Sequence, residues 1–565
     1  MTAIEVLVDV LRGLPIKNVI LSAVGVVVTV VAYLAYNIVR GERPLPGFTL
    51  ASISGRSPKI SWLFYGRQLL VESAAKVRLS CGRSRAATAP PSSPNPMSLQ
   101  LLPRGQRSSD ASANGFCTIP PKQYAGAFQV MTGTGPKIVL PNRFAEEIRS
   151  HPDMSLNKAF TKDFFTEYPG FEPLRQGLED DTLMQETVRV KLTQSLTLVT
   201  DDLVDETIAS LHDILGDDTG EWKTAVLKES VLDMISRLTS RVFLGINLCR
   251  NPRWLAIAKS YTVQAFIASH LLHMVPTLLR PLVFWLIPQC RACRRIYRDA
   301  HRLIDPEVDQ RVTLVNEALE RGEKPERRVD AIAWLHEVSR GRKVDYVAAQ
   351  LSLSLAAIHT TSETTSQAIL DVCEHPWVVE PLRREIIQVI GEHGWAKTSL
   401  SKLRLMDSFL RESQRFRPIA TASMHRIMER EVVLSDGTVL PQNTRAVVVT
   451  DYDNPDVFPR PREYDPWRFS DLRAQPGQES AWQLVTTSSN NMLFGHGKHA
   501  CPGRFFATNE MKVALCHMLL KYDWRFVPPA TTRPDYMHFE QVISVPDKVK
   551  VQYRRRKEEV SLALK

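Results

Sequence analysis

Ten residues near the C-terminus, Phe494-Gly495-His496-Gly497-Lys498-His499-Ala500-Cys501-Pro502-Gly503, constrain this chain more than any other stretch. They set a single cysteine among three glycines and lead directly into a helix-like Arg504-Phe505-Phe506-Ala507. Gly495, Gly497 and Gly503 let the backbone approach a flat macrocycle where a Cβ would collide. A helix that opens just after Cys501 turns its free N–H groups toward the sulfur and favours a thiolate. The pattern predicts a tight loop that presents a thiolate to a metal centre.

Two simpler readings compete. A lone cysteine is by default an ordinary buried thiol. Alternatively, His496, His499 and Cys501 could hold zinc, although no fourth ligand lies at a suitable spacing. The isolated Cys290 and Cys293 pair, on an Arg-rich helix, is a poor donor set.

Two further stretches weigh against the simpler readings. Glu412-Ser413-Gln414-Arg415 sits on a helix expected from about Lys402 to Arg417 and stopped by Pro418, and its spacing of three puts both charges on one face. Ala356-Ala357-Ile358-His359-Thr360-Thr361-Ser362-Glu363-Thr364-Thr365 lies inside a helical segment from about Val344 to Cys373. Threonines are tolerated mid-helix when their hydroxyls bond back to carbonyls one turn earlier.

Together these stretches resemble the cytochrome P450 family, whose cysteine loop, Phe-Gly-x-Gly-x-(Arg or His)-x-Cys-x-Gly, is matched at every fixed position. The resemblance implies a mainly α fold with a minor β portion, preceded by one transmembrane helix. It implies haem b, with Cys501 as the iron ligand and Phe494, Gly495 and Gly503 in the loop around it. His499 and Arg426 are implied to meet the haem propionates; the family's Trp-x-x-x-Arg contact is not identifiable, and Arg189 and Lys191 lie in that region without a Trp. The family's Glu-x-x-Arg pair is closed by a later arginine, here Arg468 of Pro466-Trp467-Arg468-Phe469, giving a buried network of Glu412, Arg415 and Arg468. Thr360 falls at the proton-relay position, and His359 stands where the family usually carries a carboxylate. Ala356 and Ala357 leave room for oxygen.

The implied activity is that of a monooxygenase which activates O2 to oxidise a lipophilic small molecule. The Ile-His-Thr-Thr and Gly-His-Gly-Lys-His-Ala-Cys-Pro-Gly-Arg patterns look most like microsomal-type members from filamentous fungi that oxidise terpenoids and related secondary metabolites. Leu355 and the stretch Ile419 to Ala422 are small or apolar pocket candidates. No flavin or nicotinamide motif appears, so electrons are expected from NADPH-cytochrome P450 reductase, docking near Lys498 and Arg504. A haem protein without turnover and a zinc-binding membrane protein are the readings from other classes.

Charge and hydropathy set the surroundings. The chain has 565 residues with a formal net charge of +10. Its basic residues are scattered rather than interleaved with aromatics, which argues against nucleic acid and for a membrane surface or an acidic partner. Eight dispersed cysteines suit a reducing compartment. Residues 19–39 carry no charge and are long enough to cross a bilayer as a helix. Residues 1–18 form a lumenal leader, and Arg40, Arg43, Arg56, Lys59 and Arg67 behind the span put the rest in the cytoplasm. The expectation is a single-pass protein of the endoplasmic reticulum membrane.

Pro44 and Pro46 make 40–47 a hinge, and 48–565 is the catalytic domain. It is interrupted at about 77–121 by a segment without apolar periodicity, read as a disordered insertion or translated intron. Gly133-Thr134-Gly135 is no nucleotide loop, because Pro136 follows and no helix opens. Strands are expected at Lys137-Ile138-Val139-Leu140-Pro141 and Ala446-Val447-Val448-Val449-Thr450, with a hairpin turning at Asp436-Gly437.

Overall fold

A computed structural model describes residues 44–52, 56–86, 126–179, 182–395 and 397–563, with Gly25 alone in the N-terminal stretch; the side chains of 74–86 and Lys397 are excepted. The leader, most of the apolar span at 19–39 and the segment 87–125 lie outside it. Among the described residues no helix is long and apolar enough to cross a membrane.

Among the described residues the helices on which the architecture rests include α1 (Pro58–Ala86), α2 (Leu156–Phe164), α3 (Leu196–Leu215), α4 (Leu227–Leu244), α5 (Pro252–Met274), α6 (Pro288–Glu320), α7 (Tyr346–Glu374), α8 (Val379–His393), α9 (Arg404–Phe416) and α10 (Arg504–Lys521). Helix α7 is the axle. Asp345 caps it by accepting the Ala348 N–H at 2.8 Å, and Pro376 follows its end. It packs against α4, α5, α6, α9 and α10. Some of its hydroxyls are absorbed as expected, Ser362 donating to the Ile358 carbonyl at 2.6 Å and Thr364 to that of Thr360 at 3.0 Å, whereas the buried hydroxyls of Thr365 and Ser366 find no such partner among the described residues. The apolar faces of α3, α4, α7, α9 and α10 merge into one core, and those of α5, α6 and the first half of α7 into a second.

The main sheet has six strands in the order β1 (Thr49–Leu50), β2 (Phe128–Thr132), β3 (Gly135–Leu140), β9 (Arg445–Val449), β6 (Ala422–Met428) and β4 (Met154–Ser155). The Asp436-Gly437 turn joins β7 (Val432–Val433) to β8 (Val439–Leu440) as an antiparallel pair. Gly133 and Thr134 form the turn between β2 and β3. Two sheets escaped the sequence reading. β5 (Lys223–Val226) pairs with β13 (Lys550–Arg555), which pairs with β10 (Tyr522–Phe526). β11 (Met537–Phe539) and β12 (Val542–Ser544) form a hairpin whose tip rests on α1 at Gly66. Helix α1 also corrects the boundary placed at 77: the helical backbone reaches Ala86. No proline occurs between Pro58 and Pro90, so nothing in that stretch removes a helical N–H.

Candidate active site

The cysteine loop is closed by its own backbone. The Cys501 N–H donates to the Phe494 carbonyl at 2.7 Å, and Gly495 and Gly497 take φ of +68° and +76°. A Cβ on Gly497 would stand 2.5 Å from that of Arg149, so this position needs both the conformation and the small size of glycine. A Cβ on Gly503 would reach Val188, in the π-helical turn Thr187–Leu192, at 3.5 Å. Burial raises the Cys501 thiol, opposed by the Gly503 and Arg504 N–H groups and the Arg504 guanidinium. A thiol that burial keeps protonated, yet into which helix-end donors are aimed, is suited to a metal that displaces the proton.

His496 is spent elsewhere. It is buried, with Nε2 3.0 Å from Glu146. Among the described residues no group of three or more His, Cys, Asp or Glu is placed to hold a metal ion, so the zinc alternative has no ligand set. His499 ends the short turn Gly497–His499 and is half-buried.

The clearest candidate for holding an anion is Arg426. It lies on β6 just past an irregularity between Ser423 and Arg426 where Met424 takes φ of +56°. Its guanidinium is 1% exposed and donates to the carbonyls of His425 at 2.8 Å and Arg149 at 3.4 Å, with no carboxylate partner among the described residues. Burial alone pushes it down to about 10, so it stays charged at neutral pH. Its neighbour His425 is neutral, pushed by burial to about 3. A buried cation without a counter-charge is costly and fits an anionic group such as a haem propionate. Of the two other cations left open by sequence, Lys191 pairs with Glu337, while Arg189 is exposed and lies near Arg504.

A third element faces the same need. Helix α7 is buried along most of its length, yet Ala356 and Thr360, one turn apart, are exposed. Thr360 Oγ1 donates to the Ala356 carbonyl at 2.7 Å. Such a small, polar notch within an otherwise buried helix suits a flat group and a small molecule beside it. His359 has its Nε2 3.0 Å from the Lys259 carbonyl of α5, and burial keeps it neutral. The thiolate loop, the uncompensated arginine and the notch fit haem b, with Cys501 as ligand and Arg426 and His499 toward the propionates.

Glu412, Arg415 and Arg468 meet. Arg415 grips Glu412 with two nitrogens at 2.7 and 2.8 Å, and Arg468 Nε reaches both carboxylate oxygens at 3.2 and 3.1 Å. The arginines also donate to the carbonyls of Tyr452, Pro461 and Glu463. All three side chains are buried, and they tie α9 to the segment that leads toward the cysteine loop.

Arg504 is turned inward rather than toward a partner: its Nε donates to the Val485 carbonyl at 3.1 Å and its Nη1 to that of Cys501 at 2.9 Å. Lys498 is exposed. Ile419 to Thr421 lie against the β11–β12 hairpin, with Ile543 N–H donating to Ile419 at 2.7 Å. A cavity of about 820 Å³ opens between α1, the end of α5 and that hairpin, walled by Ile60, Trp62, Leu63, Phe266, Met274 and Phe539. Sequence reasoning missed this hairpin, in which two three-residue strands, Met537–Phe539 and Val542–Ser544, flank a two-residue turn.

The comparisons agree with this geometry. The family description "Cytochrome P450" matches residues 123–553. The chain is 44% identical to the cytochrome P450 monooxygenase bsc2 of Alternaria brassicicola, over 78% of this chain and 84% of that protein. It is 41% identical to cytochrome P450 monooxygenase 1 of Gibberella fujikuroi, over 77% and 99%, and 40% identical to the monooxygenase adrA of Penicillium rubens, over 77% and 85%.

Proposed function

This chain belongs to the cytochrome P450 family and is a haem-thiolate monooxygenase, and on that premise we propose that it oxidises a terpenoid or related lipophilic compound of fungal secondary metabolism. The observation that carries the site assignment is the buried Arg426 without a carboxylate partner among the described residues, whose guanidinium reaches the carbonyl of Arg149, the residue against which Gly497 of the cysteine loop also lies. Haem b supplies the activation of O2 that permits oxidation of a C–H bond. Cys501 holds the iron, and the positive φ of Gly495 and Gly497 fixes the direction of its sulfur.

Arg426 and His499 neutralise propionate charge. Thr360, whose Oγ1 donates to the Ala356 carbonyl, would hold a proton for the O2 chemistry that the haem would supply. His359, neutral and with its Nε2 at the Lys259 carbonyl, positions α7 against α5. Electrons arrive from NADPH-cytochrome P450 reductase at the face that exposes Lys498 and Arg189.

The apolar cavity walls suit a lipophilic substrate. Around the end of α5 and the segment that follows it, Met274, Leu278, Leu282, Trp285 and Leu286 are all exposed. Such a face is unusual in water and supports a membrane-lying enzyme with residues 19–39 as its anchor, in the endoplasmic reticulum with the catalytic domain cytoplasmic.

The test is to express the protein in microsomes with the reductase and offer a panel of terpenoids. A thiolate-type Soret band in the reduced carbon monoxide complex, lost in Cys501→Ala, and an oxygenated terpenoid product are expected. A band without product across the panel overturns the substrate assignment and favours a haem protein without turnover.

A further inference from the structure

Thr360 needs a proton supply, and the residue before it is His359, whose Nε2 is taken by a backbone carbonyl. Glu363 follows three residues after Thr360 and four after His359, the two spacings that make side chains neighbours on a helix surface. Its side chain is 13% exposed and reaches away from the axle toward the loop after β12. One oxygen accepts the Val545 N–H; the other accepts the Ser544 hydroxyl at 3.1 Å and lies 3.3 Å from Lys228 Nζ, near the start of α4. Lys228 also donates to Ser544 at 2.8 Å and pairs with Asp547 at 2.8 Å. The exposure of Asp547 is 68%. A polar line thus runs from bulk water through Asp547 and Lys228 to the carboxyl of Glu363, a residue one helical turn from Thr360.

We propose that Glu363 is the carboxyl that delivers protons to the Thr360 notch in this enzyme, in place of the carboxylate absent at position 359. The proposal rests on the reading of Thr360 given above. Oxidation of a C–H bond by O2 takes two electrons from the reductase and two protons, RH + O2 + 2 e⁻ + 2 H⁺ giving ROH + H2O. Each proton leaves the Glu363 O–H for a water beside Thr360. The resulting carboxylate is held by Lys228 until water at Asp547 returns a proton. Burial raises the Glu363 carboxyl while Lys228 opposes it, which suits a group that must both hold and release a proton.

A carboxylate that merely pins the turn after β12 has the same contacts, so the test separates the two. Glu363→Gln keeps an oxygen for the Val545 N–H, and loses the acidic proton together with the second oxygen that accepts from Ser544 and pairs with Lys228. In reductase-containing microsomes we expect an unchanged carbon monoxide spectrum and substrate affinity, product per NADPH lower by on the order of tenfold or more, and more peroxide released. The solvent deuterium isotope effect on product formation rises, and Glu363→Asp restores part of the coupling. In pH-difference infrared spectra of the resting protein, a carboxylic C=O band present in the parent is missing in Glu363→Gln.

Lys228→Met provides a second handle, since loss of the cation raises the Glu363 carboxyl and moves the alkaline limb of the coupling profile to higher pH. Coupling, isotope effect and infrared spectrum all equal to the parent in Glu363→Gln, or an unmoved limb in Lys228→Met, overturn the proposal. If Thr360→Ala also leaves coupling intact, the reading of Thr360 falls with it.

Discussion

Replacing Arg426 by methionine tests the haem placement, because the structure gives both the sign and the size of the effect. The descent of this guanidinium from 12.5 to about 10, caused by burial alone, corresponds to about 3 kcal/mol of unfavourable burial at neutral pH. No carboxylate among the described residues offsets it. A bound propionate offsets part of that cost, and methionine, of similar reach but uncharged, offers the propionate no partner. Haem loss from Arg426→Met is expected to be faster by on the order of a hundredfold. Arg426→Lys recovers part of the difference, because it keeps a cation and loses only the planar fork. The assay is transfer of haem to excess apomyoglobin, followed at the Soret maximum. Haem loss from Arg426→Met within about threefold of the parent, with the thiolate spectrum intact, refutes the placement of a propionate at Arg426.

Arg468→Met leaves Glu412 with one arginine and removes the donor to the Glu463 carbonyl. It is expected to cost about 3–5 kcal/mol and to lower the urea midpoint for loss of the Soret band; an unchanged midpoint contradicts a coupled network. Glu510 is fully buried, and burial raises it to about 8 against the opposing hydroxyls of Thr239, at 2.7 Å, and Thr361. The folded protein thus keeps a proton that the unfolded chain releases near 4.5, so the stability this group contributes is complete below that pH and lost as pH rises through 8. Glu510→Gln should flatten that loss, gaining up to about 5 kcal/mol on the parent by about pH 9; urea midpoints on the acid and alkaline sides of that range that shift equally in both proteins contradict it. A Cβ at Gly66 would stand 2.5 Å from the Glu540 carbonyl oxygen. Gly66→Ala is therefore expected to push the β11–β12 hairpin away from α1 and weaken substrate binding several-fold in spectral titrations, leaving the reduced carbon monoxide spectrum unchanged.

What the sequence by itself determined is local. Helix α9 ends where Pro418 requires, and the glycines around Cys501 mark backbone that no other residue could follow, as the 2.5 Å approach at Gly497 shows. The Asp436-Gly437 turn and the strands at β3 and β9 were legible because alternation and turn chemistry act between near neighbours.

Tertiary structure decided the rest. Only packing against α5 commits His359 to a carbonyl a hundred residues away, and only the approach of α4 and the β12 segment gives Glu363 its cation and its path to water. Arg504 reads in sequence as a surface charge but folds back to the Val485 and Cys501 carbonyls. The pairing of β5 with β13 joins residues more than three hundred positions apart. Such contacts depend on which surfaces the packed helices bring together, and a side chain's neighbours in sequence carry no record of that.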